Sequence, residues 1–229
     1  MPKLYSPAVL KSICQKYQFK PAKRMGQNFL IDQNILDKIV KAAELSKKDI
    51  VLEIGPGFGA LTGELAQRAK QVIAVEKDNQ LSQILEKDIL SGIKNIEIIN
   101  QDILKYQVPA DLKKYKVVAN LPYYISKPII QKFISPLPNI NQLNQNCRGK
   151  QDLNCKQAVN QKTSLNKFVL PSLLVLLLQK EVAQKICAKP PAMNLLALSV
   201  QFCARPQIIS YVSQNSFWPK PTVASAILK

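Results

Sequence analysis

The chain has 229 residues, of which 47% are hydrophobic, and this composition suits one large globular domain. Its 32 Lys and Arg residues against 15 Asp and Glu residues give a formal net charge of +17, which indicates a polyanionic partner, either nucleic acid or an anionic membrane surface. The lack of histidine excludes catalysis by imidazole, and five cysteines without a close pair or zinc-site spacing predict reduced thiols in a cytoplasmic protein without a metal.

The first elements are two predicted helices. Val9, Ile13 and Tyr17 repeat at helical spacing within residues 6–19, and the polar segment PAKRMGQNFLI follows. Asp32 is a candidate N-cap for a second helix. The apolar side of that helix would carry Ile35, Leu36, Ile39, Val40 and Ala43.

An alternation of short apolar runs with helical segments comes next. Strands are predicted at 50–54, 72–76, 96–99 and 116–120, and helices at 60–69 and 79–90. This alternation is typical of parallel βαβ units. We therefore predict an α/β fold with a Rossmann-like sheet and helices on both faces.

Residues 136–167 interrupt the pattern because they are rich in Asn, Gln and Lys and poor in large apolar residues. We predict a mobile insertion there, either lineage-specific filler or a loop that contacts nucleic acid. Beyond it we predict a strand at 169–178, a helix at 180–188, strands at 198–204 and 208–212, a rigid loop at 215–221 and a strand at 224–228. The apolar run 168–178 is too short to span a bilayer, so no membrane partner is expected.

A glycine-rich turn, Gly55-Pro56-Gly57-Phe58-Gly59, follows the first predicted strand, with Glu53 before it. Glycine at alternate positions lets the backbone turn sharply and approach a ligand without a Cβ clash. A tight structural βα turn would use the same residues. The G-x-G-x-G spacing favours S-adenosylmethionine over a dinucleotide, which usually takes G-x-G-x-x-G. The charged amino group of that cofactor also suits a nearby carboxylate.

Acidic residues stand at the ends of the next two strands. Glu76 can accept hydrogen bonds from both ribose hydroxyls of a nucleoside. Asp102 can accept from an adenine amine while Ile103 packs on the ring. Each carboxylate alone could equally be a helix cap. Together with the glycine turn, the three strand ends predict an adenosine pocket.

The segment Asn120-Leu121-Pro122-Tyr123 ends the fourth predicted strand. Asn120 Oδ1 and the Leu121 carbonyl can both accept hydrogen bonds from an exocyclic amine. Pro122 biases Leu121 toward an extended conformation, which would aim that carbonyl. Tyr123 can stack on an unpaired base. The segment is therefore predicted to hold a flat base that bears an amino group.

Seven motifs resemble, in order, those of the KsgA-type ribosomal RNA adenine dimethyltransferases: GQNFLID (26–32), EIGPGFGALT (53–62), VEKD (75–78), QDIL (101–104), NLPYYIS (120–126), LQKEVA (178–183) and FWPKPTVASA (217–226). The resemblance runs from about residue 20 to 229, apart from the insertion. It implies an S-adenosylmethionine-dependent methyltransferase. The implied reaction is N6,N6-dimethylation of adenosines near the 3′ end of small-subunit (16S) rRNA, during ribosome biogenesis.

The resemblance also implies residue roles. Asn28, Leu30, Gly55, Glu76 and Asp102 match cofactor contacts, with Gly55 against the methionine part. Asn120 matches a residue near the methyl group and the target amine. Phe217 matches an aromatic residue that closes over the flipped adenine, opposite Tyr123.

The charge distribution bears on partners and domains. Thirteen of the fifteen acidic residues lie between Asp32 and Asp111, so both flanks are positive. We expect a monomer that binds small-subunit rRNA or an immature 30S particle, although a lysine-rich solvated surface is the alternative. We assign 1–31 to a basic N-terminal helix and cofactor-contacting segment and 32–229 to the catalytic domain. Relatives usually continue into a small RNA-contacting helical domain, so we expect either that this domain is absent or that the chain is a fragment.

Three rival functions remain open at this point. One is a large-subunit rRNA adenine methyltransferase of the antibiotic-resistance type, although GQNFLID and GPGFGALT favour the small-subunit enzyme. Another is a ribosome-assembly factor that binds RNA without catalysis, which the intact Asn120–Tyr123 segment and Glu76 argue against. A DNA adenine methyltransferase is the third.

Overall fold

The computed structural model describes residues 3–22, 25–134 and 169–229. The insertion predicted at 136–167 lies outside the described residues. Within those three ranges, the helices are too short or too polar to cross a membrane.

A seven-stranded sheet organises the fold. In the order β4-β3-β2-β5-β6-β9-β7, the first five strands run parallel, and β9 is antiparallel to both of its neighbours. The described strands are β1 (Phe29–Leu30), β2 (Ile50–Ile54), β3 (Gln71–Glu76), β4 (Ile96–Asn100), β5 (Lys116–Asn120), β6 (Leu173–Gln179), β7 (Ile208–Val212), β8 (Phe217–Trp218) and β9 (Ser225–Leu228). The predicted α/β class is confirmed.

Helices cover both faces of this sheet. The described helices are α1 (Pro7–Lys16), α2 (Gln33–Ala42), α3 (Ala60–Arg68), α4 (Asn79–Ile84), α5 (Ser126–Ile134), α6 (Lys180–Ile186) and α7 (Leu195–Cys203). A π-helical turn extends α4 through Leu85–Ile89, and short 3-10 turns span Tyr123–Ile125 and Gln214–Ser216. The predicted cap is confirmed, because Asp32 Oδ1 accepts from Asn34 N at 3.0 Å where α2 begins.

Two apolar layers hold the helices against the sheet. Val51 of β2 packs in the layer formed with α2 and α3, whereas Leu52 and Ile54 pack in the layer formed with α5, α6 and α7. Because the central strands are buried on both faces, their sequences are nearly continuous apolar runs. Alternation along β2 therefore turns Glu53 toward α3.

The strand predicted at 198–204 is wrong, because residues 195–203 form α7. The side chain of Asn194 caps this helix by accepting from Ala197 N at 3.0 Å, and Ala197 and Val200 face the core at helical spacing. Leu198 and Phe202 are 53% and 91% exposed. Apolar residues on the outer side hid the helical period from the sequence pattern.

The loop predicted at 215–221 contains a short strand. β8 pairs antiparallel with β1, placing Phe29 opposite Trp218 and Leu30 opposite Phe217. This two-stranded ribbon is anchored to α2, because Ser216 Oγ donates to Asp32 Oδ2 at 2.9 Å. The strand predicted to begin at residue 169 starts at Leu173 instead.

Candidate active site

The candidate site lies where the strand order changes direction. From β2 the chain proceeds to β3 and β4 on one side, and then to β5 on the other. Register places Ile54 beside Val75 of β3 and Ala119 of β5, so these strands end at one edge. Ligands in open α/β sheets bind at such a switch point.

A cleft opens at this edge and encloses about 640 Å³, part of it continuous with solvent. Eight predicted site residues line it: Asn28, Gly55, Gly57, Glu76, Asp102, Ile103, Asn120 and Pro122. Eleven further lining residues were not selected by the sequence analysis. Among these eleven, Met25, Gly26, Gln27, Lys77 and Tyr124 come, like the predicted residues, from the segment before β1 or from the ends of strands.

The glycine turn meets two separate requirements. Gly55 has φ 67°, and a Cβ there would find no atom within 4 Å, so its backbone is open to the cleft. Gly57 has φ 60°, and a Cβ there would lie 2.9 Å from Phe29 Cδ1. The first glycine therefore leaves room for a ligand, whereas the second leaves room for β1.

Asn120 is fixed at one end of its amide. Its Nδ2 donates to the Asn28 carbonyl at 3.0 Å, and Asn28 Nδ2 donates to the Gly26 carbonyl at 3.2 Å. None of the residues that the structure describes donates to Asn120 Oδ1. This orientation leaves the oxygen as the acceptor available to a ligand.

Glu76 is a buried carboxyl at the cleft. Its Oε1 accepts from Asp78 N at 2.8 Å and its Oε2 from Gly57 N at 3.3 Å. Burial raises the pKa of Glu76 to about 7, although these backbone donors favour the ionised form. The ionised carboxylate, which forms near neutral pH, accepts hydrogen bonds from two ligand hydroxyls more strongly than the protonated form does.

Asp102 is held by a cation. Lys77 Nζ lies 2.9 Å from Asp102 Oδ2, and this hydrogen bond lowers the pKa of Asp102. The backbone N of Leu104 donates to the other oxygen at 3.0 Å. Asp102 is therefore an ionised acceptor whose position is fixed beside the cleft.

Glu53 does not line the cleft. It is 1% exposed and faces Thr62 of α3, and neither Glu53 Oε2 nor Thr62 Oγ1 has a hydrogen-bond partner among the described residues. Burial raises the pKa of Glu53 to about 8, and the charge of Glu76 adds to the rise. The carboxyl lies behind the glycine turn, so in this structure it acts on the cleft only through that turn and Glu76.

Comparisons with known proteins identify the family. Residues 18–229 match the family model described as ribosomal RNA adenine dimethylase. The chain belongs to that family. The expected family membership is confirmed, and the chain is an enzyme of the dimethylase type.

Individual relatives agree with this membership. A ribosomal RNA small subunit methyltransferase A from Alkaliphilus metalliredigens is 38% identical over 237 residues, which cover 100% of this chain and 71% of the relative. The structure of a dimethyladenosine transferase from Plasmodium falciparum is 30% identical with a TM-score of 0.65, covering 87% of this chain and 62% of that one. The 23S rRNA methyltransferase ErmE is 28% identical with a TM-score of 0.67, covering 88% of this chain and 68% of that one.

Other predicted residues of the dimethylase site lie outside the cleft. Leu30 and Gly59 are buried and do not line it, and neither does the buried side chain of Leu121. Phe217 is 3% exposed, packs with Leu30 in the core and does not line the cleft.

Two tyrosines of the same motif differ in position. Tyr123 is half-buried, and its hydroxyl lies 2.8 Å from Ser225 Oγ. Tyr124 lines the cleft and is 52% exposed. Gln27, which the sequence analysis also did not select, lines the cleft as well. Its Nε2 donates a hydrogen bond of 2.9 Å to Asp78 Oδ2. Both residues stand within the motifs GQNFLID and NLPYYIS, which were the available signal.

We expect Glu53→Gln to change how stability depends on pH. The unfolded chain loses this proton near the ordinary value of 4.5, whereas the folded protein keeps it up to about 8. Stability is therefore lost as pH rises between these values, and the glutamine variant avoids that loss. In urea unfolding, the free energy of unfolding of the variant relative to that of the wild type should increase between about pH 5 and pH 8. The increase should be on the order of a few kcal/mol.

The exposed carboxyl of Glu97 on β4 supplies the control. Glu97→Gln should shift the free energy of unfolding by a similar amount at each pH. A constant offset between Glu53→Gln and the wild type across this range would contradict the assigned protonation.

Proposed function

We propose that this chain transfers methyl groups from S-adenosylmethionine to the N6 amines of adenosines near the 3′ end of small-subunit rRNA, in the cytoplasm, during ribosome biogenesis. The observation that carries the proposal is the cleft itself. Gly55, Glu76, Asp102 and Asn120 come from four different strand ends and line one space. Relatives named small subunit methyltransferase A support the choice of substrate.

The cleft fits the proposed cofactor. Beyond Gly55 the backbone has open space where a Cβ would stand, which admits the methionine part of a ligand. Glu76 is placed to accept ribose hydroxyls, and Asp102 to accept from an adenine amine beside Ile103. The open backbone at Gly55 and the acceptors Glu76 and Asp102 lie at three adjacent strand ends. Together they fit S-adenosylmethionine, which is a cation that carries an adenosine.

The protein's part in the reaction is to position and polarise the target amine. S-adenosylmethionine supplies an electrophilic methyl group on a sulfonium centre. The N6 lone pair of adenine is delocalised into the ring, so hydrogen bonds to Asn120 Oδ1 and the Leu121 carbonyl would favour a pyramidal nitrogen. With that cofactor bound, an N–C bond would form as the S–C bond breaks, the neutral thioether would leave, and the amine would lose its proton to solvent while held by these two acceptors. Orientation and fixed dipoles supply the rate without a covalent enzyme intermediate.

The target base must leave its stack before it reaches Asn120. Tyr124 lines the cleft and is half-exposed, so we assign it the first stacking contact with the base. Phe217 and Tyr123 do not line the cleft, so Tyr124 rather than either of them is given this contact.

Small-subunit and large-subunit rRNA are separate substrates that the fold alone does not distinguish. The TM-scores are 0.65 with the dimethyladenosine transferase and 0.67 with ErmE. Sequence favours the small subunit, because relatives named small subunit methyltransferase A are 38% identical to this chain over its whole length. Radiolabelled methyl transfer to undermethylated small subunits, followed by mapping of the modified adenosines, tests the choice. Modification of large-subunit rRNA alone would overturn it.

Asn120→Ala should lower kcat for methyl transfer by at least about tenfold, because one hydrogen bond to the reacting amine is lost. The Kd for S-adenosylmethionine should change little, since the ribose and adenine contacts remain. Asn34→Ala, an exposed amide on α2 outside the cleft, is the control and should retain wild-type turnover. Near-normal turnover of Asn120→Ala would refute the assigned role.

RNA binding should weaken steeply with salt, because lysines and arginines on the two basic flanks displace counterions from phosphates. Fluorescence anisotropy with labelled small-subunit RNA should show the affinity falling by at least about tenfold between about 50 and 200 mM salt. Cofactor affinity, measured at the same salts, serves as the control. A flat salt response for RNA would count against the flanks as the RNA surface.

A further inference from the structure

A second recess lies on the same edge of the sheet as the cleft. It is lined by Gln179, Lys180, Glu181, Gln184, Val223 and Ala224, where β6 passes into α6 and where the chain enters β9. Its empty space is about 550 Å³, part of it open to solvent. The proposed methyl transfer does not use any of these side chains.

The recess is joined to the candidate active site through Ser225. Gln179 is the register partner of Ser225, and the Ser225 hydroxyl lies 2.8 Å from that of Tyr123. Lys180 N also donates to the Ala224 carbonyl at 3.0 Å. β5 and β9 are separated by β6 alone, so strand spacing puts the recess about 10 Å from the end of β5.

An aromatic ring stands beside the recess, next to a cation that lines it. Lys180 Nζ stands 5.0 Å from the centroid of the Tyr211 ring, and that ring is 52% exposed. Val223 adds apolar surface at 40% exposure. The Gln179 and Gln184 amides can each donate and accept.

The one carboxylate of the recess, that of Glu181, forms an exposed ion pair with Lys185. Glu181 Oε1 lies 2.5 Å from Lys185 Nζ, and this hydrogen bond lowers the pKa of Glu181. Lys180 therefore remains the cation available to a ligand. An aromatic face, a cation and amides together suit an unpaired nucleotide, since stacking tolerates any base and the cation attracts phosphate.

We propose that this recess binds an unpaired nucleotide that neighbours the target adenosine in the RNA. The inference rests on the proposed function, because it takes RNA as the substrate. A base displaced into the cleft leaves its neighbours unstacked, and the recess offers one of them a ring to stack on and an ammonium for its phosphate. This contact would hold the strand while the target amine meets Asn120.

Binding of a labelled, unpaired oligoribonucleotide of about six nucleotides tests the recess independently of methyl transfer. Tyr211→Ala and Lys180→Ala should each raise the Kd by at least about fivefold. Tyr211→Phe keeps the ring and should stay within about twofold of the wild type. Equal affinity of Tyr211→Ala and the wild type would overturn the proposal.

Lys38→Ala is the matched control for charge. Lys38 Nζ lies 3.3 Å from Ser210 Oγ, so it touches β7 beside Tyr211 but belongs to α2 on the other face of the sheet. The variant loses the same single charge as Lys180→Ala and should bind the oligonucleotide within about twofold of the wild type. An equal loss of affinity in both lysine variants would mean that overall charge alone accounts for binding. That result would overturn the proposal that the recess binds a nucleotide.

Methyl transfer to undermethylated small subunits separates the two proposals. In the recess variants we expect the KM for RNA to rise while the Kd for S-adenosylmethionine is unchanged. If the wild type transfers no methyl group but Tyr211→Ala still loses oligonucleotide affinity, the recess stands and the proposed function fails. If the wild type methylates and the recess variants match it in both assays, the function stands and the recess fails.

Discussion

The parallel register of β2, β3 and β5 is the constraint on which the site depends. Because Ile54 lies beside both Val75 and Ala119, the residues after these positions emerge together at one edge. A slip of one residue in β5 would turn Asn120 to the opposite face of the sheet. Val117 and Val118 are each buried against a different set of helices, so β5 is packed on both faces.

The segment before β1 completes the site through contacts distant in sequence. Phe29 packs where Gly57 has no side chain, and Asn120 Nδ2 reaches the carbonyl of Asn28. Gln27 joins the same segment to Asp78 at the start of α4. One wall of the cleft is thus built by three contacts between the N-terminal segment and the strand ends.

Strand ends could be predicted from the sequence, whereas their tertiary neighbours could not. Glu76, Asp102 and Asn120 were found because apolar runs mark where strands stop, and parallel strands bring those stops together. The pairing of Phe217 with Leu30 depends on a ribbon between residues almost two hundred positions apart, which local patterns do not encode. Helix α7 was missed for a different reason, because its exposed Phe202 made an amphipathic helix read as uniformly apolar.

The two halves of this sheet edge differ in charge, and each half favours a different one of the two proposed ligands. Glu76 ends β3 and Asp102 follows β4, and these two carboxyls favour a cationic ligand when they are ionised. Residues 169–229 contain Glu181 as their one acidic residue against six basic residues, so a polyanionic strand is favoured along β6, β9 and β7. Asn120 ends β5, the strand between these halves, and an amide is uncharged toward both. Under the proposed function, the target base would meet the methyl donor at this boundary.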